Sequence, residues 1–186
     1  GDVSGHNVGA ALLMALTKGV LSTEARHSLL KPDQLMRILN QHLLNSATDS
    51  SFLTLFFGRI DSEQSQLHWN SAGHGPVFCY CRKQDAIIEL PPNDIPLGIT
   101  AKARFRSPEP LPLHSGDILL IGTDGLWETR NSQNEMFRSE RLRQIIASHR
   151  DKDAQTIYRI VMQKITSFRG NQPTEDDMTL MVIKAK

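Results

Sequence analysis

Apolar and polar positions along the chain follow two periods, and the period switches in blocks. Residues 9 to 21 hold a nearly unbroken apolar run (Ala10, Ala11, Leu12, Leu13, Met14, Ala15, Leu16). It predicts a helix that is apolar nearly all round, and so buried. Ser28 to Asn45 predicts a second helix. Pro32 suits its first turn, Asp33 suits its positive end, and Leu35, Ile38, Leu39, His42 and Leu43 share a face at spacings of three and four. Residues 45 to 51 read as a polar loop. The middle of the chain then reads as strand. Phe52 to Ile60 is rich in Phe, Leu and Thr, Asp61-Ser62-Glu63 turns, and Gln66 to Asn70 returns. Pro76 to Arg82 and Ala86 to Leu90 predict another hairpin with Lys83-Gln84-Asp85 at its tip, followed by a loop from Pro91 to Gly98. Arg104 to Pro112 alternates, but its prolines restrict it to an edge strand at best.

Ile118 to Gly122 is a short continuous apolar strand that runs straight into Thr123-Asp124-Gly125. Helices follow over Ser139 to His149, with Leu142, Ile145 and Ile146 on one face, and over Ala154 to Phe168, with Ile157, Val161, Ile165 and Phe168 on one face. Residues 170 to 173 break the pattern, and Met178 to Ile183 is a last strand. There is no internal repeat. Helices, a block of strands, helices again and a strand make an α+β layered domain with mostly antiparallel sheet.

Composition narrows the function. The 186 residues suit one domain with a substantial core. Basic residues number 21 and acidic residues 20, for a net charge of +1. With no dominant basic patch, nucleic acid is not an expected partner. No apolar run nears the roughly 20 residues that span a membrane, and no secretory pattern is present, so membrane insertion is not expected. Cys79 and Cys81 sit two apart in a strand-like run, on one face, where they cannot readily bond to each other. They read as free thiols of a reducing, cytoplasmic compartment, and C-x-C alone lacks the partners of a metal site.

The candidate chemistry lies in three acidic turns. The first is Gly1-Asp2-Val3-Ser4-Gly5-His6-Asn7. An Asp in a Gly-rich turn before a helix can cap the helix, or hold a cation while bare backbone approaches a phosphate. Asp124 follows one apolar strand and Asp176 precedes another. Carboxylates at the ends of adjacent strands would face one another and repel unless a cation neutralises them. Hard oxygen donors with no matching Cys or His set favour Mg²⁺ or Mn²⁺ over zinc. Two such ions about 4 Å apart can activate water and clamp a phosphoryl group. The alternative is that all three are caps and turn residues.

Taken together, several stretches resemble the SpoIIE/RsbU branch of the metal-dependent protein phosphatases, the bacterial relatives of type 2C. They are residues 1 to 6 with the following Ala-Ala-Leu-Leu-Met, residues 52 to 61, Ser71-Ala72-Gly73-His74, Pro96-Leu97-Gly98, Gly116-Asp117 through Thr123-Asp124-Gly125, and Asp176-Asp177-Met178-Thr179-Leu180. They fall in the family's order and cover nearly the whole chain. The resemblance implies an α-β-β-α sandwich of two packed, mostly antiparallel sheets with helices outside. It implies a binuclear Mn²⁺ or Mg²⁺ site. Asp2 would bridge the ions with the Val3 backbone carbonyl beside it, Asp124 and Asp176 would ligate one of them, and Asp177 is the neighbour to watch. The reaction implied is hydrolysis of phosphoserine or phosphothreonine by metal-activated water. The substrate implied is a STAS-type anti-sigma-factor antagonist. An upstream sensor or receiver domain would control activity through the first two helices, and a homodimer is an open possibility.

Asn7, Gly9 and Gly75 depart mildly from the family's pattern, and Trp127 is an unusual bulky residue past the Asp124 turn. The family also has a strand and hairpin before this point, with a further Asp, so a preceding segment is expected and the domain reads as the C-terminal part of a larger regulatory protein. His6, four residues after Asp2, is a candidate to protonate the leaving serine oxygen, or else it structures its loop. His74 is expected to brace a turn between strands. Arg104, Arg106 and Arg130 are candidates for the substrate phosphate or solvated surface residues. A pseudophosphatase that only binds a partner is the competing reading, though none of the acidic trio is lost. A magnesium-dependent nucleotide hydrolase would need a Gly-Lys-Ser/Thr loop, which is absent.

Overall fold

The structure is a computed structural model and describes residues 1–5, 7–24, 30–46 and 51–186. In chain order the elements are β1 (Asp2–Val3), α1 (Val8–Glu24), α2 (Pro32–Ser46), β2 (Leu53–Asp61), β3 (Gln66–Ala72), β4 (Val77–Cys81), β5 (Ala86–Leu90), β6 (Leu111–Pro112), β7 (Ile118–Gly122), α3 (Gly125–Glu128), α4 (Ser139–Ser148), α5 (Ala154–Arg169) and β8 (Leu180–Lys184). The fold is α+β: two antiparallel sheets with flanking helices. The chain divides into two compact units, residues 1–74 with 91–112 and residues 75–90 with 113–186. Each unit holds one sheet.

In the first unit the strand order is β1-β2-β3-β6. The β2–β3 hairpin closes at Asp61, whose Oδ1 accepts hydrogen bonds from the Glu63 and Gln64 amides at 3.0 and 2.9 Å. The inward side of β2 is apolar, with Leu53 and Leu55 buried. α2 lays Leu35, Met36, Leu39 and Leu43 into the same cluster. α1 differs from the sequence expectation. It buries Ala10, Leu13 and Thr17, whereas Val8 is 76% exposed, Leu12 65% and Met14 41%. Apolar composition set no face here; the elements beside the helix did. α2 starts at Pro32, later than expected, because Leu30 and Lys31 are not helical and the proline suits the first position of a helix; Ser28 itself and most of the 45–51 loop lie outside the described residues. Of the edge strand expected over 104–112, only Leu111 and Pro112 pair, against Gln66 and Leu67. Prolines 108 and 110 lack the amides that would extend the ladder.

In the second unit the order is β5-β4-β7-β8. β7 is the continuous apolar strand and lies inside the sheet, with the consecutive residues Ile118, Leu119 and Leu120 all buried, so both of its faces are covered. Phe78, Ile118, Leu120, Leu126, Leu142, Ile146, Ile157, Val161 and Ile165 form its core. α5 begins at Asp153, whose side chain accepts from the Thr156 amide at 2.8 Å, and ends at Gly170 with φ of 61°. Asp117 is buried and accepts from the Arg82 and His114 amides, both at 2.7 Å, tying the β4–β5 hairpin to the start of β7. Cys79 and Cys81 are free thiols with sulfurs 3.9 Å apart on one face.

Truncating Leu35, which is 1% exposed, to Ala should cost about 2–5 kcal/mol in urea unfolding. Leu12→Ala should cost no more than about 0.5 kcal/mol, as an exposed site does. A large loss at Leu12 would mean that the α1 face is covered.

Candidate active site

The second unit brings two of the acidic turns together. β7 and β8 are antiparallel neighbours, with Gly122 opposite Leu180. Just beyond that pair, the Thr123 amide donates to the Thr179 carbonyl at 3.1 Å. The Thr123 hydroxyl donates to the Asp177 carbonyl at 2.9 Å and accepts from the Thr179 amide at 3.0 Å. One side chain thus clamps the turn before β8 onto the turn after β7. Gly125 completes the contact: a Cβ there would lie 2.5 Å from the Asp177 carbonyl oxygen. Only glycine lets the backbones approach this closely.

Asp124 stands on this junction as the N-cap of α3, with Oδ1 accepting from the Gly125 amide at 3.1 Å. Asp176 Oδ1 accepts from the Asp177 amide at 2.7 Å. Each carboxylate therefore spends one oxygen on its own turn, and the other has no partner among the described residues. Asp124, Asp176 and Asp177 are all exposed. These donors are hard oxygens with no sulfur or imidazole among them, which suits Mg²⁺ or Mn²⁺. Within either unit, among the described residues, no three Asp, Glu, His or Cys side chains gather closely enough to form a complete site. A cavity of about 50 Å³ opens beside the junction, lined by Glu128, Arg130, Arg169 and Asp176 among others. Arg130 is held by the Asn134 carbonyl at 3.0 Å and lies 3.9 Å from Glu175.

Asp2 and Val3 belong to the first unit, on the edge strand β1, where Asp2 opposes Thr54 and Val3 opposes Leu53. Asp2 is exposed and Val3 buried. The Ser4 amide donates to the Phe52 carbonyl and the Phe52 amide donates to the Ser4 hydroxyl, both at 2.9 Å, so the loop is pinned just past Asp2. His6 lies outside the described residues.

A polar network supports β1 from behind. The Thr54 hydroxyl lies 3.4 Å from the Asp2 carbonyl and 3.1 Å from His74 Nδ1. A hydroxyl has one proton; given to the carbonyl, it leaves Nδ1–H as the donor to Thr54. His74 is 5% exposed, and its carbonyl accepts from the Ser71 hydroxyl. Next to it, Asp94 Oδ2 accepts from Asn70 and Asn93 side-chain amides, both at 2.9 Å, and the Gly73 amide donates to the Asp94 carbonyl at 2.8 Å. His74 thus braces the turn, as expected. Thr54, Asp94 and Thr123 escaped the sequence reading. Only Thr123 carried a signal, its place beside Asp124.

This is the fold of PP2C-type phosphatase domains. The chain superimposes on the SiaA-PP2C domain of Pseudomonas aeruginosa with a TM-score of 0.86 at 16% identity, covering 99% of this chain and 73% of that one. RsbX in complex with magnesium matches with a TM-score of 0.66 at 17% identity, over 96% of this chain and 75% of that one. The family described as Stage II sporulation protein E (SpoIIE) matches residues 1–186, and the chain belongs to that family. Phosphoserine phosphatase RsbU of Bacillus subtilis is 26% identical over 185 residues, which is 100% of this chain and 54% of that protein. The chain thus spans about half the length of this relative.

Burial lowers the His74 pKa from 6.5 to about 4. The unfolded chain binds this proton more readily, so the stabilising effect of a neutral His74 is complete above pH 6.5 and is lost as pH falls towards about 4. Compared with a His74→Asn variant, the native protein should lose more stability across that window in denaturant titrations. Parallel pH profiles would contradict the burial of a neutral imidazole.

Proposed function

We propose that this chain is a metal-dependent protein phosphatase acting on phosphoserine or phosphothreonine in a regulatory protein of the STAS-type anti-sigma-factor-antagonist class. The observation that supports this most is the junction at which the Asp124 and Asp176 turns meet, each carboxylate with one oxygen uncommitted. Membership of the SpoIIE family and the likeness to phosphoserine phosphatase RsbU point the same way.

In this reading Asp2, the Val3 carbonyl, Asp124, Asp176 and Asp177 hold a pair of Mn²⁺ or Mg²⁺ ions. Bound there, the metal would activate a water and neutralise phosphoryl charge. The protein's own groups do the rest. Thr123 and Gly125 fix the Asp124 and Asp176 turns against each other. Thr54 and His74 hold the strand that carries Asp2. His6 donates a proton to the leaving serine oxygen. Arg130, beside Asp176, would have to leave its contact with Glu175 to meet a phosphate. Among the described residues no helix is long and apolar enough to cross a membrane. We place the reaction in the cytoplasm, under an upstream sensor or receiver domain that acts through α1 and α2.

The test is Mn²⁺-dependent hydrolysis of a phosphoserine peptide by the protein and by Asp124→Asn. The native protein should turn over, and the variant should fall to background while its circular dichroism is unchanged. A variant that keeps most of its rate would refute the assignment of Asp124. A folded native protein that is inert in excess metal would favour the pseudophosphatase.

A further inference from the structure

The groove between α4 and α5 carries chemistry that the acidic turns do not use. Its volume is about 470 Å³, inside the roughly 300–1,000 Å³ typical of small-molecule sites. Its floor is apolar. Phe137 and Phe168 meet edge to face with centroids 5.3 Å apart, and Ile145 lies beside them. Its rim is cationic and polar, with Arg141, Lys164, Gln144 and His149. No Asp or Glu lines it among the described residues.

The two cations are not neutralised. Arg143 and Arg150, on or just past the same helix, pair with Glu89 and Asp85. Arg141 and Lys164 form no ion pair among the described residues. The Arg141 guanidinium instead sits 4.7 Å from the Phe168 ring centroid and 5.9 Å from that of Phe137. Such stacking fixes the group against the floor, while its edge N–H donors stay available to an anion. His149 donates Nδ1–H to the Ile145 carbonyl at 2.9 Å, so Nε2 is the ring nitrogen left for a ligand.

We propose that this groove binds a small organic anion in which a phosphate, sulfonate or carboxylate is joined to a flat apolar ring. The ring lies on Phe137, Ile145 and Phe168, and the anionic group engages Arg141 and Lys164. An inorganic anion would leave the apolar floor wet, and a neutral ring would leave both cations unanswered. The site stands apart from the phosphatase reading, since none of its residues belongs to the acidic turns.

The probe is naphthalene-1-sulfonate, which a phosphatase cannot hydrolyse. It is titrated at constant ionic strength into ¹⁵N-labelled protein, beside methanesulfonate and neutral 2-naphthalenemethanol. Saturable amide shifts should centre on Phe137, Arg141, His149, Lys164 and Phe168. Each half-ligand, and the Arg141→Gln/Lys164→Gln double variant, should bind at least about tenfold more weakly. Lys164→Gln alone should show an intermediate loss, and amides away from the groove should not move in either variant. No saturable shift at millimolar probe, shifts scattered over the surface, or equal binding by a half-ligand or by the double variant would overturn the proposal.

Discussion

The hydroxyl of Thr123 is the contact on which the meeting of the Asp124 and Asp176 turns depends. It donates to the Asp177 carbonyl and accepts from the Thr179 amide, so it satisfies two backbone groups at the point where the β7–β8 ladder ends. Without it those groups would turn to solvent, since Asp177 and Thr179 are both exposed, and the side-chain link between the two turns would be lost. With it, the turn carrying Asp176 is drawn against the turn carrying Asp124. Gly125 permits the close approach, and the N-cap role of Asp124 holds one of its oxygens still. The two carboxylates are placed by backbone register together with the single Thr123 hydroxyl that reaches across the turns.

The first unit solves the same problem with a buried polar network. Asn70 and Ser71 end β3 fully buried, which is unfavourable unless each polar atom finds a partner. From a loop some twenty residues on, Asp94 accepts from the Asn70 side-chain amide and Asn93 Oδ1 accepts from the Ser71 backbone amide, while Asn70 Oδ1 has no partner among the described residues. His74, neutral because it is buried, donates a hydrogen bond from Nδ1–H to the Thr54 hydroxyl, and Thr54 steadies the backbone of Asp2. The surface ion pairs, such as Arg82 with Asp151, are largely exposed and contribute far less.

Much of this was legible in the sequence, and the failures have physical causes. The bounds of β5 and β7 agree with the structure, because turn residues and an unbroken apolar run mark them. α4 and α5 show one apolar face at helical spacing, and that face is the one buried. α1 was misread because it is apolar on every side, and composition cannot say which side a neighbour covers. α3, four residues long, is too short to show a period. The candidate ligands Asp124 and Asp176 stood out by lying at strand ends. The residues that hold them did not, because the partner of Thr123 lies 54 residues away and that of Asn70 lies 24 away, and only the folded register joins them.

The central proposal is that the three acidic turns serve one divalent-metal site. Paramagnetic broadening by Mn²⁺, added in small steps to ¹⁵N-labelled protein, tests it most directly. Amides of residues 2–4, 123–126 and 175–178 should broaden together, before any others. Broadening confined to the turns of one unit, or spread evenly over exposed carboxylates, would contradict the account.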